Sequence, residues 1–267
     1  MNGVNYEPLL RTMTWSFSRL NSYRQCPCAW YLHYLMEEEE EECFYSSFGS
    51  FCHELIARFY TGDLTRDELL PEFLQGFSLR VLGERPSADT ERKYLDQGAE
   101  YFENFEAFPL ETVFVEQKTD FQVGNVKMTG IIDYLGRDSD GGLVLVDHKS
   151  ADLKARSTNG KRRASDQKLD DTLRQLYLYG TAVRDAFGEF PKELWLNCFR
   201  TGNLIREPFD EEKYEEAAQW AEETVEKICR DSDFLPTDDY YYCRWICGVR
   251  HACDLYEEEY GKGRRRA

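Results

Sequence analysis

Apolar side chains recur every three or four positions through the first hundred residues, then crowd into short runs, then return to the longer spacing. Thr14–Leu35 reads as one helix. Ser16 or Ser18 can cap it, and Leu20, Tyr23, Trp30, Tyr31 and Tyr34 give it an aromatic face, while Pro27 would bend it or start its second half. Ser47–Tyr60 is a second helix, with Phe48, Phe51, Leu55, Ile56 and Phe59 at helical spacing, and Thr65–Leu82 and Ala88–Phe105 read as two more. The segments Thr112–Val123, Val126–Leu135 and Leu143–Lys149 are rich in Val, Ile and Phe. The turn signals Gly124-Asn125 and Asp140-Gly141-Gly142 separate them, so they read as three strands in a meander. Leu169–Phe187 is a helix, Glu193–Phe199 and Asn203–Pro208 a hairpin around Thr201-Gly202, and Asp210–Arg230 a long charged helix burying Tyr214, Ala218, Ala221, Val225 and Ile228. No internal repeat is visible. This order predicts an α/β fold with a central mixed β-sheet flanked by helices. The chain divides into an N-terminal helical region (1–110), a core (111–209) and a C-terminal helix with a cysteine-rich end (210–267), together one compact domain.

The chain has 267 residues, 42% hydrophobic and 15% aromatic, enough for a sizeable core. Its apolar runs fall far short of the roughly 20 residues that span a bilayer. No charged-then-apolar leader opens it, so a cytoplasmic protein without membrane contact is expected. Nine cysteines in a reducing compartment point to metal rather than to disulfides. The net charge of -17 argues against a protein that coats duplex DNA, since phosphate neutralisation needs Lys and Arg, but it leaves nuclease chemistry open. The acidic run Glu37–Glu42 reads as a solvated loop or helix end. Lys154, Arg156, Lys161, Arg162, Arg163 and Lys168 make a mobile basic loop, solvated or touching DNA, and the Gly-Lys-Gly-Arg-Arg-Arg-Ala tail reads as a frayed end.

Candidate chemistry lies in the strands. Asp147 and Lys149, two apart, share one strand face; His148 faces the other way, though its carbonyl can meet a metal held by Asp147. If Gly141-Gly142 closes a hairpin, Asp133 approaches Asp147. Two close carboxylates repel, and a divalent cation relieves that. Oxygen ligands suit Mg²⁺ or Mn²⁺, which would polarise a phosphate and activate water, while Lys149 neutralises developing charge. The bland reading of Asp-x-Lys is a surface motif after an ordinary strand. Glu116 reads as a solvated strand residue that could add a carboxylate. Cys243, Cys247 and Cys253, with Cys26 near the other terminus, offer soft thiolates that suit Zn²⁺ or an iron–sulfur cluster. Cys28 could compete with Cys26, and His251 could stand in for Cys243. Cys43, Cys52, Cys198 and Cys229 read as ordinary thiols.

Taken in order, several segments resemble the PD-(D/E)xK nuclease superfamily, in its RecB-like branch with four iron–sulfur cysteines, which includes the CRISPR-adaptation exonucleases and AddB-type nuclease subunits. They are Ser16-Phe17-Ser18-Arg19-Leu20 through Cys26-Pro27, Gly49-Ser50-Phe51-Cys52-His53, Gly130-Ile131-Ile132-Asp133, Val146-Asp147-His148-Lys149 and Gln175-Leu176-Tyr177-Leu178-Tyr179, closed by the three late cysteines. The resemblance implies a restriction-endonuclease-like core with a C-terminal iron–sulfur segment. It implies His53, Asp133 and Asp147 as metal ligands with the His148 carbonyl as a further one, Lys149 as catalytic, and Gln175 and Tyr179 lining the site. Cys26, Cys243, Cys247 and Cys253 would hold a [4Fe-4S] cluster, with Zn²⁺ as the alternative. The spacings x₃ and x₅ in the late cysteines depart by one residue from the family's x₂ and x₅, which bears on Cys243. The implied function is a metal-dependent DNA exonuclease acting on single strands or duplex ends in recombination and repair, phage replication or CRISPR spacer acquisition, in bacterial, archaeal or phage-encoded form. Alternatives are a non-catalytic subunit that relies on a recombination, phage or CRISPR-adaptation partner, and a zinc-stabilised binding protein. Tyr23, Trp30, Tyr31 and Tyr34 could stack bases, although core packing accounts for most of them.

Overall fold

The computed structural model describes residues 5–157 and 163–259, so Lys161, Arg162 and the basic tail lie outside the described residues. The first predicted helix is two. After the short α1 (Glu7–Leu10), α2 (Phe17–Gln25) stops at Cys26, whose backbone is extended, and α3 (Pro27–Tyr34) begins again behind it. The physical reason is Pro27: it lacks an N–H and suits the first helical turn, and Cys26 caps that turn by accepting from Ala29 N at 3.4 Å. Ser16 caps α2 through Arg19 N at 3.1 Å. Just before it, Trp15 joins the sheet, exchanging hydrogen bonds with Lys127 O (2.8 Å) and Thr129 N (2.7 Å).

Three further helices, α4 (Phe44–Tyr60), α5 (Arg66–Arg80) and α6 (Ala88–Glu103), enclose an aromatic core of Phe44, Phe48, Phe73 and Phe102. Phe48 meets Phe73 and Phe77 edge-on, an arrangement that favours ring quadrupoles as well as burial. The sheet follows: β1 (Glu111–Val123), β2 (Val126–Arg137), β3 (Leu143–Lys149), then α7 (Ala164–Phe187), β4 (Glu193–Cys198), β5 (Asn203–Pro208) and α8 (Glu211–Arg230). The strands lie in the order β1-β2-β3-β4-β5. All neighbours are antiparallel except β3 and β4, which α7 joins as a parallel crossover. The mixed sheet flanked by helices is the architecture expected from the sequence. From Leu143 to His148, β3 is buried at every position, because α7 and α8 pack one face and the α4–α6 layer the other. The chain ends in a wide turn (Tyr242–Ile246), a tight one (Arg250–Ala252) and α9 (Asp254–Glu259).

Two charged segments are more fixed than their composition suggests. Glu37–Glu42 is irregular and mostly exposed, yet Glu41 N donates to Gly248 O at 2.8 Å and its carboxylate pairs with Arg250 at 3.4 Å. In the basic segment, Arg156 bridges Asp170 (2.7 Å) and Glu207 (3.0 Å), and Lys168 belongs to α7, which starts at Ala164 rather than Leu169. Among the described residues no helix is long and apolar enough to cross a membrane.

Candidate active site

The centre of the site is built by strand register. β2 pairs Tyr134 with Val146, so the next position sets Asp133 beside Asp147 at the end of the β2–β3 ladder. Asp133 Oδ2 accepts the main-chain N–H of His148 at 2.8 Å, which fixes the carboxylate across the gap between strands. Helix α4 then crosses the strand ends. Gly49 lies against Ser150, where an added Cβ would sit 3.7 Å from Oγ, and one turn later His53 reaches Asp133 Oδ2 with Nδ1 at 3.4 Å. The His53 ring stands edge-on to His148 (5.5 Å) and Phe199 (5.7 Å). Burial lowers the pKa of His53, so a neutral imidazole faces the carboxylates.

Glu116 completes the cluster. On β1 the register runs unbroken from Val115↔Tyr134 to Gln117↔Ile132, which sets Glu116, with φ 49°, opposite Asp133. A left-handed conformation at a non-glycine residue costs on the order of 1–3 kcal/mol and concentrates at functional sites. Here it falls at the position that faces Asp133 across the strands. Ligand atoms of His53, Glu116 and Asp133 all lie within 4.8 Å of one another. The cleft partly buries the accessible Glu116, and with the charges of Asp133 and Asp147 pushes its carboxyl up to about 7.

Asp147 and Lys149 form the other half. Lys149 Nζ stands 2.6 Å from Asp147 Oδ2 and donates to Gln175 Oε1 on α7 at 3.0 Å. Burial raises the Asp147 pKa; Lys149 opposes this and Asp133 adds to it. The Asp147 Oδ2 atom is buried, with the Lys149 ammonium as its partner. Gln175 Nε2 donates to Tyr179 Oη at 3.4 Å, one turn along α7. On the opposite strand face His148 is 2% exposed, and its Nδ1 accepts from Asn197 Nδ2 at 3.0 Å, which also donates to Tyr101 Oη at 2.7 Å. Burial drops the His148 pKa to about 3, so this ring stays neutral.

The residues present fit a divalent cation. Three carboxylates face one ammonium, and a neutral imidazole stands among them. Two carboxylates and an imidazole suit Mn²⁺ as well as Mg²⁺. From Lys149 and Gln175 a cavity of about 760 Å³ runs between α2, α3 and the C-terminal segment, with Asn21, Arg24 and Lys168 but also Glu40 and Asp171 on its walls.

At the far side of that wall, Cys26, Cys243, Cys247 and Cys253 line one small cavity with Pro236 and Tyr242. Cys26 Sγ accepts two main-chain N–H groups, from Ala29 and Thr237, each at 3.4 Å. The extra residue between Cys243 and Cys247 is absorbed by the wide turn, in which Cys247 N bonds back five residues to Tyr242 O at 2.9 Å. Cys28 stands outside the cavity lining, near Cys253. His251 turns to Glu38 (3.8 Å) and Glu41 (4.0 Å) instead. Cys52, Cys198 and Cys229 are buried thiols, and Cys43 donates to Trp245 O at 2.8 Å.

Of the residues singled out from sequence, His53, Asp133, Asp147, Lys149, Gln175 and Tyr179 meet at one end of the sheet, with the His148 main chain among them. The compact ligand trio is His53, Glu116 and Asp133; Asp147 is engaged with Lys149. Glu116 is an exposed strand residue, as expected, and its register opposite Asp133 also places its carboxylate in the cluster. Asn197 was missed, although an Asn inside the apolar run Leu194-Trp195-Leu196 signals a buried polar role. Tyr101 carries no such signal. Trp30 is core, stacked between Trp15 and Phe234.

Residues 14–254 match the family model of the PD-(D/E)XK nuclease superfamily. No curated protein sequence matches the chain. Among solved structures, the chain is similar to a candidate exonuclease from Eubacterium rectale, with 12% identity, 98% of each chain covered and a TM-score of 0.53, a likeness of fold. The structure of SSO0001 aligns over 93% of this chain and 95% of its own at 16% identity, with a TM-score of 0.30 from which no shared architecture is inferred.

Proposed function

The chain belongs to the PD-(D/E)XK nuclease superfamily, and from that premise we propose that it is a divalent-metal-dependent DNA exonuclease acting on single-stranded DNA or on duplex ends. The observation that carries this reading is the convergence of His53, Glu116 and Asp133 ligand atoms within 4.8 Å, beside a lysine that contacts Asp147 at 2.6 Å. Asp133, His53 and Glu116 would hold the cation, with Asp147 and the His148 main chain completing the shell. A bound Mg²⁺ or Mn²⁺ would supply Lewis-acid polarisation of the scissile phosphate. Lys149 presents an ammonium to the developing negative charge on the phosphate. Asp147 and Gln175 hold that ammonium in place, and Tyr179 holds Gln175. The His148 N–H keeps Asp133 turned toward the cluster. The cavity beyond Lys149 offers a route for a strand leading away from the site, which favours single strands and ends.

Cys26, Cys243, Cys247 and Cys253 would hold a [4Fe-4S] cluster that ties α3 to the C-terminal segment. The donor set, four thiols lining one cavity, supports this. The role is structural, since the cysteine segment also forms a wall of the cavity that opens on Lys149.

The test is incubation of the anaerobically purified chain with end-labelled linear and circular single-stranded DNA in Mn²⁺, Mg²⁺ or EDTA, beside Asp147→Ala. The reading expects metal-dependent loss of linear strands only, absent in the variant. Absence of metal-dependent cleavage in the wild-type chain would sink it.

A further inference from the structure

Gly130 lies three residues before Asp133 on β2, beneath the phenol of Tyr179. A Cβ at this position would stand 2.5 Å from both Cε1 and Oη of that ring and 2.7 Å from Cζ. Gly130 is not among the glycines with positive φ, so an alanine backbone is unstrained there. What the fold uses is the missing side chain. The ring cannot step aside freely: Tyr179 is 5% exposed and meets Phe121 edge-on at 6.0 Å.

The position of the phenol matters through Gln175. An amide has an accepting and a donating end, and only its oxygen can accept from a lysine. Lys149 Nζ, a donor only, takes Oε1 at 3.0 Å, which leaves Nε2 to the Tyr179 Oη that holds it at 3.4 Å. Turned over, the amide would set its NH₂ against the ammonium. We propose that Gly130 is a positioning residue: its bare Cα lets the Tyr179 phenol lie across β2 and hold the Gln175 amide in place, where its oxygen accepts from Lys149. This rests on the nuclease reading above. A glycine kept for strand stability alone would make little sense, because glycine weakens a strand interior and alanine would serve better.

The test is a double-mutant cycle on Mn²⁺-dependent cleavage of end-labelled single-stranded DNA, using the full chain, Gly130→Ala, Tyr179→Ala and the double variant. Gly130→Ala is expected to lower kcat about a hundredfold with KM unchanged, the scale of a misplaced catalytic group. In the Tyr179→Ala background the same substitution is expected to change kcat by no more than about twofold, since the ring it would displace is gone. A hundredfold loss repeated in that background, or an undiminished kcat in Gly130→Ala, overturns the proposal. The crystal structure of Gly130→Ala decides the matter without turnover. A displaced phenol and a lost Lys149–Gln175 contact are expected, and an unmoved ring overturns the proposal. Failure of the wild-type chain to cleave DNA would count against the nuclease reading, while the crystal structure would still judge Gly130.

Discussion

Replacing Asn197 with leucine tests whether the buried side of β3 supports the site. Asn197 is 4% exposed, pairs in register with His148, and divides its amide between His148 Nδ1 and Tyr101 Oη. Leucine has similar volume and no donor. The substitution therefore leaves two buried polar groups without a partner, at about 1–3 kcal/mol each, while burial of the leucine returns about 1.5–3 kcal/mol. The net loss is roughly 2 kcal/mol, or about 4–8 °C in Tm for a chain of this size. The His148 ring cannot compensate by becoming a donor at Nδ1 through protonation, because burial holds its pKa at about 3. Urea unfolding and calorimetry in EDTA measure the loss free of metal. The same loosening reaches Asp133, which takes its orientation from the His148 N–H, so Mn²⁺ affinity is expected to fall about tenfold or more, as for other groups that orient ligands. An Asn197→Leu chain as stable as wild type, with unchanged Mn²⁺ affinity, would refute the reasoning.

Three further outcomes are expected. Lys149→Met should lower kcat by about 10²–10³ while Mn²⁺ binding persists, as isothermal titration beside a cleavage assay would show. Glu116 has a carboxyl held up to about 7 in the fold, so its contribution to stability is present below the ordinary carboxylate pKa and is lost as pH rises through about 7. In EDTA, Glu116→Gln should therefore match wild type in Tm near pH 4 and exceed it at pH 8; a gap that does not grow with pH would contradict this. Cys26→Ser should remove the broad visible absorbance expected of the anaerobically purified chain, whereas Cys198→Ser should keep it.

The Val- and Ile-rich runs of β2 and β3, the turn signals between them and the Asp-x-Lys spacing made the sheet end legible, because both carboxylates and the lysine obey regular strand geometry. His53 was legible only through its place in an ordered set of motifs, since a histidine on an apolar helix reads as core. Glu116 was legible only as an exposed strand carboxylate, because the pairing that sets it opposite Asp133 is a matter of register between two strands. The break at Cys26 escaped because α2 and α3 share one aromatic face, so the periodicity runs through the interruption; Pro27 was its one signal. The wide turn between Cys243 and Cys247 lay beyond spacing rules, which count residues and not the five-residue return of the backbone. Asn197 and Tyr101 meet 96 residues apart in sequence, a separation that local patterns do not encode.

The central claim is that His53, Glu116 and Asp133 hold the cation on which cleavage depends. Electron paramagnetic resonance of Mn²⁺ titrated into the full chain, beside Asp133→Asn, tests it most directly. The account expects one tight site per wild-type chain, lost in the variant together with DNA cleavage. Equal tight binding by both chains would contradict it.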